Sequence, residues 1–457
     1  MEISAVILAN RELHSQTSVE DRSFLVRMLA GKPLISWVRD NLLELSAVNQ
    51  LYITRPEHEE IRQIIGDKAA FSIGDESGQN TILEAANFIE SRTGITIVMP
   101  ANLPLLRADV LKQAAEQFVT KGYDALILTA MTDDQNTFER VIRDTRGIFL
   151  GTKTEDDLPP ARGAREVNGG VYLFNTARLL SAIGKLGRQK LLSADFSALL
   201  DVMMSDGRAI STMIVDKEAL LPVETLFDNN LAAHILNAWN IRKHVEQGVE
   251  FIDSEQTFVE TTVEIGPGTV VWPGAVLTGD TKIGRDAVIG AGSQIESSQI
   301  GDAAQVMQSV IRNSSLGKRS VVGPFANLHN GAWIDRDVKI GSGADISNAI
   351  VGHGVVIDAH VLINDADIGE DARIGAGSIT VNEDASGQSF RTTIGPLAMV
   401  GANASLVAPV EIEANSYIAA GSVITGNVPA FSLALARSRQ TILEDWVRRG
   451  SGKREPV

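Results

Sequence analysis

A chain of 457 residues is too long for one hydrophobic core and calls for two or three domains. Its formal charge of −16, with no basic stripe beyond the short tail Arg448, Arg449, Lys453 and Arg454, excludes a nucleic-acid backbone as partner. The lack of cysteine removes disulfides, thiolate metal sites and thiol nucleophiles, and no run of 18 apolar residues offers a membrane span.

The chain opens on Met1-Glu2-Ile3-Ser4, which has neither the basic region nor the apolar run of a signal peptide, so a cytoplasmic protein is expected. Strand-like apolar runs follow at Ile3 to Leu8, Gln50 to Thr54, Ile95 to Met99 and Ala125 to Thr129. They alternate with helical patterns near 33–45, 57–65, 81–91 and 108–120. Such alternation predicts an α/β domain built on a mostly parallel sheet. Ligands of these sheets bind beyond the carboxyl ends of the strands, above all in the loop after the first one, here Ala9 to Val26. Residues 229 to 248 carry a helical pattern that stops at Gly248 and predict a rod between two domains.

From Val259 an aliphatic residue returns every sixth position, at Ile265, Val271, Leu277, Ile283, Ile289 and Ile295. After phase slips the beat returns at Val322, Leu328, Ile334, Ile340 and Ile346, and again from Ile394 to Ile424. A glycine often follows the aliphatic position, as at Gly266, Gly284, Gly341 and Gly401. A period of six fits neither a helix nor a simple strand; it predicts a parallel β-helix in which each hexad makes a short strand and a corner.

The order of α/β half, helical rod, six-residue repeats and short tail resembles the GlmU family of bifunctional enzymes that make UDP-N-acetylglucosamine. The resemblance rests on Ala-Val-Ile-Leu-Ala near the start, Leu-Ala-Gly-Lys-Pro at 29–33 and Val-Asn-Gly-Gly-Val at 167–171. It is strongest from Val322 to Trp446, where Ile-Gly-Ala-Gly-Ser-Ile-Thr-Val-Asn, Leu-Val-Ala-Pro-Val and Ile-Ala-Ala-Gly-Ser-Val-Ile-Thr recur in family order. It implies a Rossmann-like α/β nucleotidyltransferase domain over 1–228, a helical linker over 229–250, a left-handed parallel β-helix over 251–430 and a C-terminal tail over 431–457. It also implies a homotrimer, with sugar phosphate, nucleotide sugar and coenzyme A as ligands.

The family's N-terminal reaction joins UTP to a sugar phosphate, and needs backbone amides of a glycine-rich loop, basic side chains and Mg²⁺ held by carboxylate. Where the family has that loop, this chain reads Leu8-Ala9-Asn10-Arg11-Glu12-Leu13-His14-Ser15-Gln16, without glycine before Gly31. The family lysine falls on Phe24, with Arg11, Arg22 and Arg27 as the nearby cations. The aspartate implied for Mg²⁺ is Asn102, a neutral ligand for an ion that favours carboxylates. Asn229, beside Asp228, matches the second metal-side residue, and Asn168 with Gly169 matches the sugar and nucleotide contact. An asparagine at such places otherwise serves as a turn or cap residue.

The C-terminal reaction moves an acetyl group from acetyl-CoA to the amine of glucosamine 1-phosphate between neighbouring subunits, and needs a base and cations for the phosphate. Equal spacing puts Ala359 at the histidine base, with His360 one residue further on. The arginine of the sugar-phosphate site becomes His329, and a lysine in the next coil falls near Ser347 or Asn348. Asn382 keeps its place in the extended loop from Thr380 to Thr393, and Arg391 stands where a lysine is expected. Ala402, Ala420 and Arg437 match residues of the coenzyme channel, so acetyl-CoA binding is expected to outlast acetyl transfer. Three readings follow: a trimeric pseudoenzyme that binds or scaffolds; an active transferase with changed substrate and catalytic residues moved to His329 or His360; and a silent half tethered to a working one.

Overall fold

The computed structural model of the chain describes residues 2–10, 23–55, 58–66, 69–73, 80–132, 139–154, 165–186 and 196–447. They form two compact units, Met1–Leu236 and Asn237–Val457. The first contains the strands β1 (Ile3–Ala9), β2 (Asn49–Thr54), β3 (Ala70–Ile73), β4 (Ile95–Pro100), β5 (Ala125–Met131), β6 (Arg140–Arg143), β7 (Phe149–Lys153), β8 (Glu166–Asn175) and β9 (Ile210–Val215). Their order is β9-β5-β8-β4-β1-β2-β3, with β6 paired to β8 and to β7. β1 lies parallel to β2 and β4, whereas β8 runs antiparallel between β4 and β5.

Ala5, Val6 and Ile7 of β1 are all fully buried, which explains why the central strands read as unbroken apolar runs rather than alternating ones. Helices α1 (Leu34–Glu44), α2 (Glu59–Ile65), α3 (Thr81–Ile89), α4 (Ala108–Lys121), α5 (Thr176–Lys185) and α6 (Phe196–Ser205) complete the layers. In α3 the spacing of Ile82, Ala85 and Ile89 makes one apolar stripe, which packs into the cluster that holds Val6, Leu51 and Val98. No helix of the described residues is long and apolar enough to cross a membrane.

One buried polar network ties the far strands together. Glu166 of β8 accepts two hydrogen bonds from the Arg143 guanidinium of β6, at 2.8 and 2.7 Å. It also accepts from Thr129 of β5 at 2.7 Å and from Thr212 of β9 at 3.1 Å. Burial pushes the Glu166 carboxyl up, but the bonds from Arg143, Thr129 and Thr212 outweigh it and hold the group below its ordinary value.

The helix α7 (Leu226–Glu246) begins in the first unit and ends in the second. Beyond it the chain coils through three parallel sheets of eleven, ten and nine short strands. The phase slips of the hexad beat have a physical cause in coil length. Ile265 pairs with Ile283, 18 residues on, but Ile283 pairs with Ile300, 17 on, and Ile295 with Ile311, 16 on. A side shortens to five residues where one left-handed residue, such as Ser297, Asn313 or Asn348, turns the corner alone. The glycines after the aliphatic positions sit where the next coil's backbone passes: a Cβ on Gly317 would lie 2.4 Å from the carbonyl carbon of Asp335.

The first coil has an open backbone edge at Phe258–Val259, and α7 closes it. The Asn237 side chain donates to the Thr257 carbonyl at 2.8 Å and accepts from the Val259 amide at 2.9 Å, copying one rung of a ladder. Asn240 donates to the carbonyls of Val259 and Glu260 at 3.0 and 3.1 Å. Edge strands left bare invite association, so these amides protect as well as stabilise.

Two outcomes are expected. Asn237→Ala strands a buried carbonyl and a buried amide and lowers the denaturation midpoint of the second unit by an amount equivalent to about 2 kcal/mol. The second concerns Glu166, whose folded pKa is depressed, so its contribution is present above the unfolded glutamate range and is lost as pH falls below about 4.5. Glu166→Gln is therefore less stable than the parent at pH 7, and the gap narrows in an acid titration followed by circular dichroism. A gap of constant size from pH 7 to pH 3 contradicts the ionised pairing.

Candidate functional site

In the first unit the relevant surface lies beyond the carboxyl ends of β1 and β4, joined where the Ala101 amide donates to the Leu8 carbonyl at 3.0 Å. Asn10 follows β1; its side chain donates to Thr81 at 3.1 Å and its carbonyl accepts from Arg55 at 3.0 Å. Arg11, Arg22 and the segment between them lie outside the described residues. Phe24, where the resemblance sets a lysine, is buried at the start of a short 3-10 turn, Phe24–Val26, capped by Ser23. The Arg27 guanidinium stands over the Phe24 ring at 5.3 Å, a cation–π contact rather than an anion site.

Asn102 is buried just after β4 and is held by its own chain. Its side chain donates to Glu224 at 3.5 Å and its carbonyl accepts from the Val223 amide at 2.9 Å. Asn229 lies in the first turns of α7, with its amide nitrogen 3.5 Å from the Met28 carbonyl. Asp228 beside it is spent on the helix start: it accepts from the amides of Thr225 and Glu224 at 2.8 and 3.2 Å, while Thr225 accepts from the Asp228 amide. That exchange is a capping box. Asn102 and Asn229 offer two neutral amides, and no group of three His, Asp or Glu side chains among the described residues could hold a metal ion. These two amides alone do not fit Mg²⁺, which favours carboxylate oxygen; the carboxylate beside them is Glu224, in contact with Asn102.

Asn168 sits at a bulge of β8 between Asn168 and Val171. Its amide gives one hydrogen to Glu139 at 3.0 Å and the other to the Tyr172 hydroxyl at 2.8 Å, and its carbonyl accepts from the Gly170 amide at 3.0 Å. A Cβ on Gly169 would fall 2.4 Å from a Leu220 methyl and 3.0 Å from the Leu128 carbonyl, so a side chain there would require Leu220 to move. Asn168 is thus satisfied within its own strand region, with no donor left over.

On the β-helix the candidates fall into three groups. His329 ends the strand Asn327–His329, and its Nε2 lies 2.9 Å from a carboxylate oxygen of Asp345 one coil on; Asn327 donates to the other oxygen at 3.2 Å. Ser347 pairs in register with His329 and donates to Asn364 at 3.1 Å. His360 stands apart. The sequence suggests a step along a strand from Ala359 to His360, but both form the corner between Val356–Ile357 and Leu362–Asn364. There His360 has a left-handed backbone at φ 57 and an exposed side chain.

Asn382 and Arg391 meet a pair of carboxylates that the sequence did not single out. Asn382 and Asn348 each donate to Asp365, both at 2.5 Å. Arg391 forms a two-pronged pair with Asp367 at 2.7 and 2.6 Å and donates to the carbonyls of Asn348 and Ala366 at 3.0 and 3.1 Å. The Arg391 guanidinium holds the Asp367 carboxyl below its ordinary range despite an opposing push from burial. Ala402, Ala420 and Arg437 form the third group. The Gly421 amide donates to the Ala402 carbonyl at 2.8 Å, and Arg437 donates to the Ala420 carbonyl at 3.1 Å, so all three meet at one corner of the last coils. The missed acidic residues had a signal in coil length: Asp345 lies 16 residues after His329, and Asp365 lies 17 before Asn382.

The model of the bacterial transferase hexapeptide (six repeats) matches residues 262–297 and 391–426, and with three parallel sheets it makes the second unit a left-handed β-helix. A solved CMP:2-keto-3-deoxy-manno-octonic acid synthetase complexed with CTP is 18% identical, with a TM-score of 0.40, over 52% of this chain and 100% of that one. Bifunctional protein GlmU of Acetivibrio thermocellus is 30% identical over 97% of both chains. Bifunctional protein GlmU of Caldanaerobacter subterraneus subsp. tengcongensis is 33% identical over 93% of both. Identity of that level over more than nine-tenths of both chains makes this chain a member of the GlmU family.

Proposed function

We propose that this member of the GlmU family has lost both half-reactions and works as a trimeric binding or scaffold protein. The observation that carries the reading is Arg391. It stands where the resemblance places a lysine, and its hydrogen bonds go to Asp367 and to two backbone carbonyls of its own chain. A phosphate would have to displace a carboxylate already in bidentate contact, which is the stronger kind of charge-assisted pair. In the α/β unit, Phe24 and Asn102 supply neither the charge nor the metal ligand that phosphoryl chemistry requires. Self-association is supported by an exposed apolar ladder, Met399, Tyr417 and Leu433, stacked in register on the last coils.

Coenzyme A binding is retained in this reading. Ala402 and Ala420 leave their corner free of bulky side chains, and Arg437 beside them is exposed enough to meet a phosphate. Calorimetric titration is expected to give heat with acetyl-CoA, and Arg437→Ala is expected to weaken the affinity about fivefold, roughly 1 kcal/mol. A silent titration of the parent protein refutes coenzyme binding.

A second reading rests on His329. An imidazole oriented by Asp345 and half-exposed on the coil face has the arrangement of a general base, so acetyl transfer to a changed acceptor is the alternative. One assay separates the two. The protein is incubated with Mg²⁺, mixed nucleoside triphosphates, acetyl-CoA, glucosamine 1-phosphate and N-acetylglucosamine 1-phosphate, and products are read by mass spectrometry. No acetylated sugar phosphate and no nucleotide sugar above the enzyme-free control is expected. Acetylated product that disappears with His329→Gln and Asp345→Asn establishes the second reading instead.

A further inference from the structure

The α/β unit holds a cleft of about 370 Å³ beyond the carboxyl end of β5. Such a volume falls in the range of small-molecule sites, roughly 300 to 1,000 Å³. Its walls are mainly Val167, Leu220, Leu221, Pro222, Leu231 and Ile235, contributed by β8, by the segment before α7 and by α7 itself. Gly169 is also part of the lining, beside the Leu220 side chain.

The polar inventory of this cleft decides what it can take. Asn168 borders it, but both hydrogens of its amide are committed to Glu139 and Tyr172 and its carbonyl to Gly170. Of the other polar lining residues, Thr132, Lys217 and Glu218, two carry charge and stand together, so a polyol with hydroxyls on every side would leave those facing the aliphatic walls unpaired, at a cost of about 1–3 kcal/mol for each. An apolar guest gains from the same exchange, because it removes its own surface and that of the aliphatic walls from water. At the mouth stand Lys217 and Glu218, adjacent exposed residues of opposite charge on the short turn Lys217–Leu220. Neighbouring unlike charges favour no net ionic ligand.

We infer that this cleft is a binding site for a small apolar molecule of no net charge, aromatic or branched aliphatic, whose single polar end faces Lys217 and Glu218. Because Asn168 and Gly169 border the cleft, this inference rests on the proposed loss of the N-terminal half-reaction, which the product assay tests separately.

The test uses the neutral fluorescent probe N-phenyl-1-naphthylamine and the full-length protein. The parent is expected to bind one probe per chain with a saturable rise in emission. Leu231→Trp fills the cleft from an exposed helix position and should weaken binding by at least about tenfold. Leu231→Ser, which removes part of the wall without filling it, should weaken binding by about threefold. Circular dichroism and the thermal midpoint report whether each variant is folded, and a misfolded Leu231→Trp leaves Leu231→Ser to decide. No saturable signal from the parent overturns the inference. So does equal binding by the parent and the folded variants, which would assign the probe to the exposed apolar ladder of the last coils.

Discussion

The hydrogen-bonded stacking of one coil on the next is the constraint from which the C-terminal half follows. Once each coil's amides and carbonyls are paired with the coils above and below, the inward aliphatic side chain and the outward polar one are fixed together. A side chain's neighbours are then the residues one coil away, and coil length names them. Asn327 meets Asp345 because 18 residues separate them, and His329 reaches the same carboxylate on the diagonal. A five-residue side therefore changes more than local shape; it decides which side chains share the outer face over the next turn. The extended loop works in the same way, since it lets Arg391 reach Asp367 across 24 residues of sequence.

That geometry turns the chain's acidity into a local effect. Arg391, His329, Lys318 and Arg319 each stand within 3 Å of a carboxylate on a neighbouring coil. Exposed pairs of this kind add little to stability, typically below about 1 kcal/mol each. Their larger consequence is to cancel positive potential on a surface where an anionic sugar would need it. A net charge of −16 could be spread harmlessly over a protein of this size, but here one carboxylate sits directly on Arg391 and another on His329.

Much of the fold was legible in the sequence because its signals are periodic. Unbroken apolar runs marked β1, β4 and β5, and the hexads marked the inner face of the coils. β8 was not marked, because its Val-Asn-Gly-Gly-Val centre breaks the apolar run at the bulge that positions Asn168. The site was legible only as a set of single positions. Arg391 and Asn382 could be named, but the partners that spend them, Asp367 and Asp365, are known only once the lengths of the coil and of the extended loop are counted. His360 shows the opposite failure. Its residue type suggested chemistry, whereas its place is a corner where the coil needs a left-handed backbone, a place taken in neighbouring coils by Gly343 and Gly377.

The core of the α/β unit and its candidate site rest on different residues. Its core lies in the buried strands and helix stripes, while the altered positions lie at loop ends where substitution leaves the core intact. Most replacements are also locally satisfied. Phe24 gains burial beneath Arg27, Asn102 is held by Glu224 and Val223, and Asp228 closes the end of a helix. Functional sites commonly trade stability for chemistry, and residues engaged in packing and capping contribute to stability instead. Asn229 is the exception: its side-chain oxygen is buried with no partner among the described residues, an unsatisfied group of a kind that native interiors rarely keep.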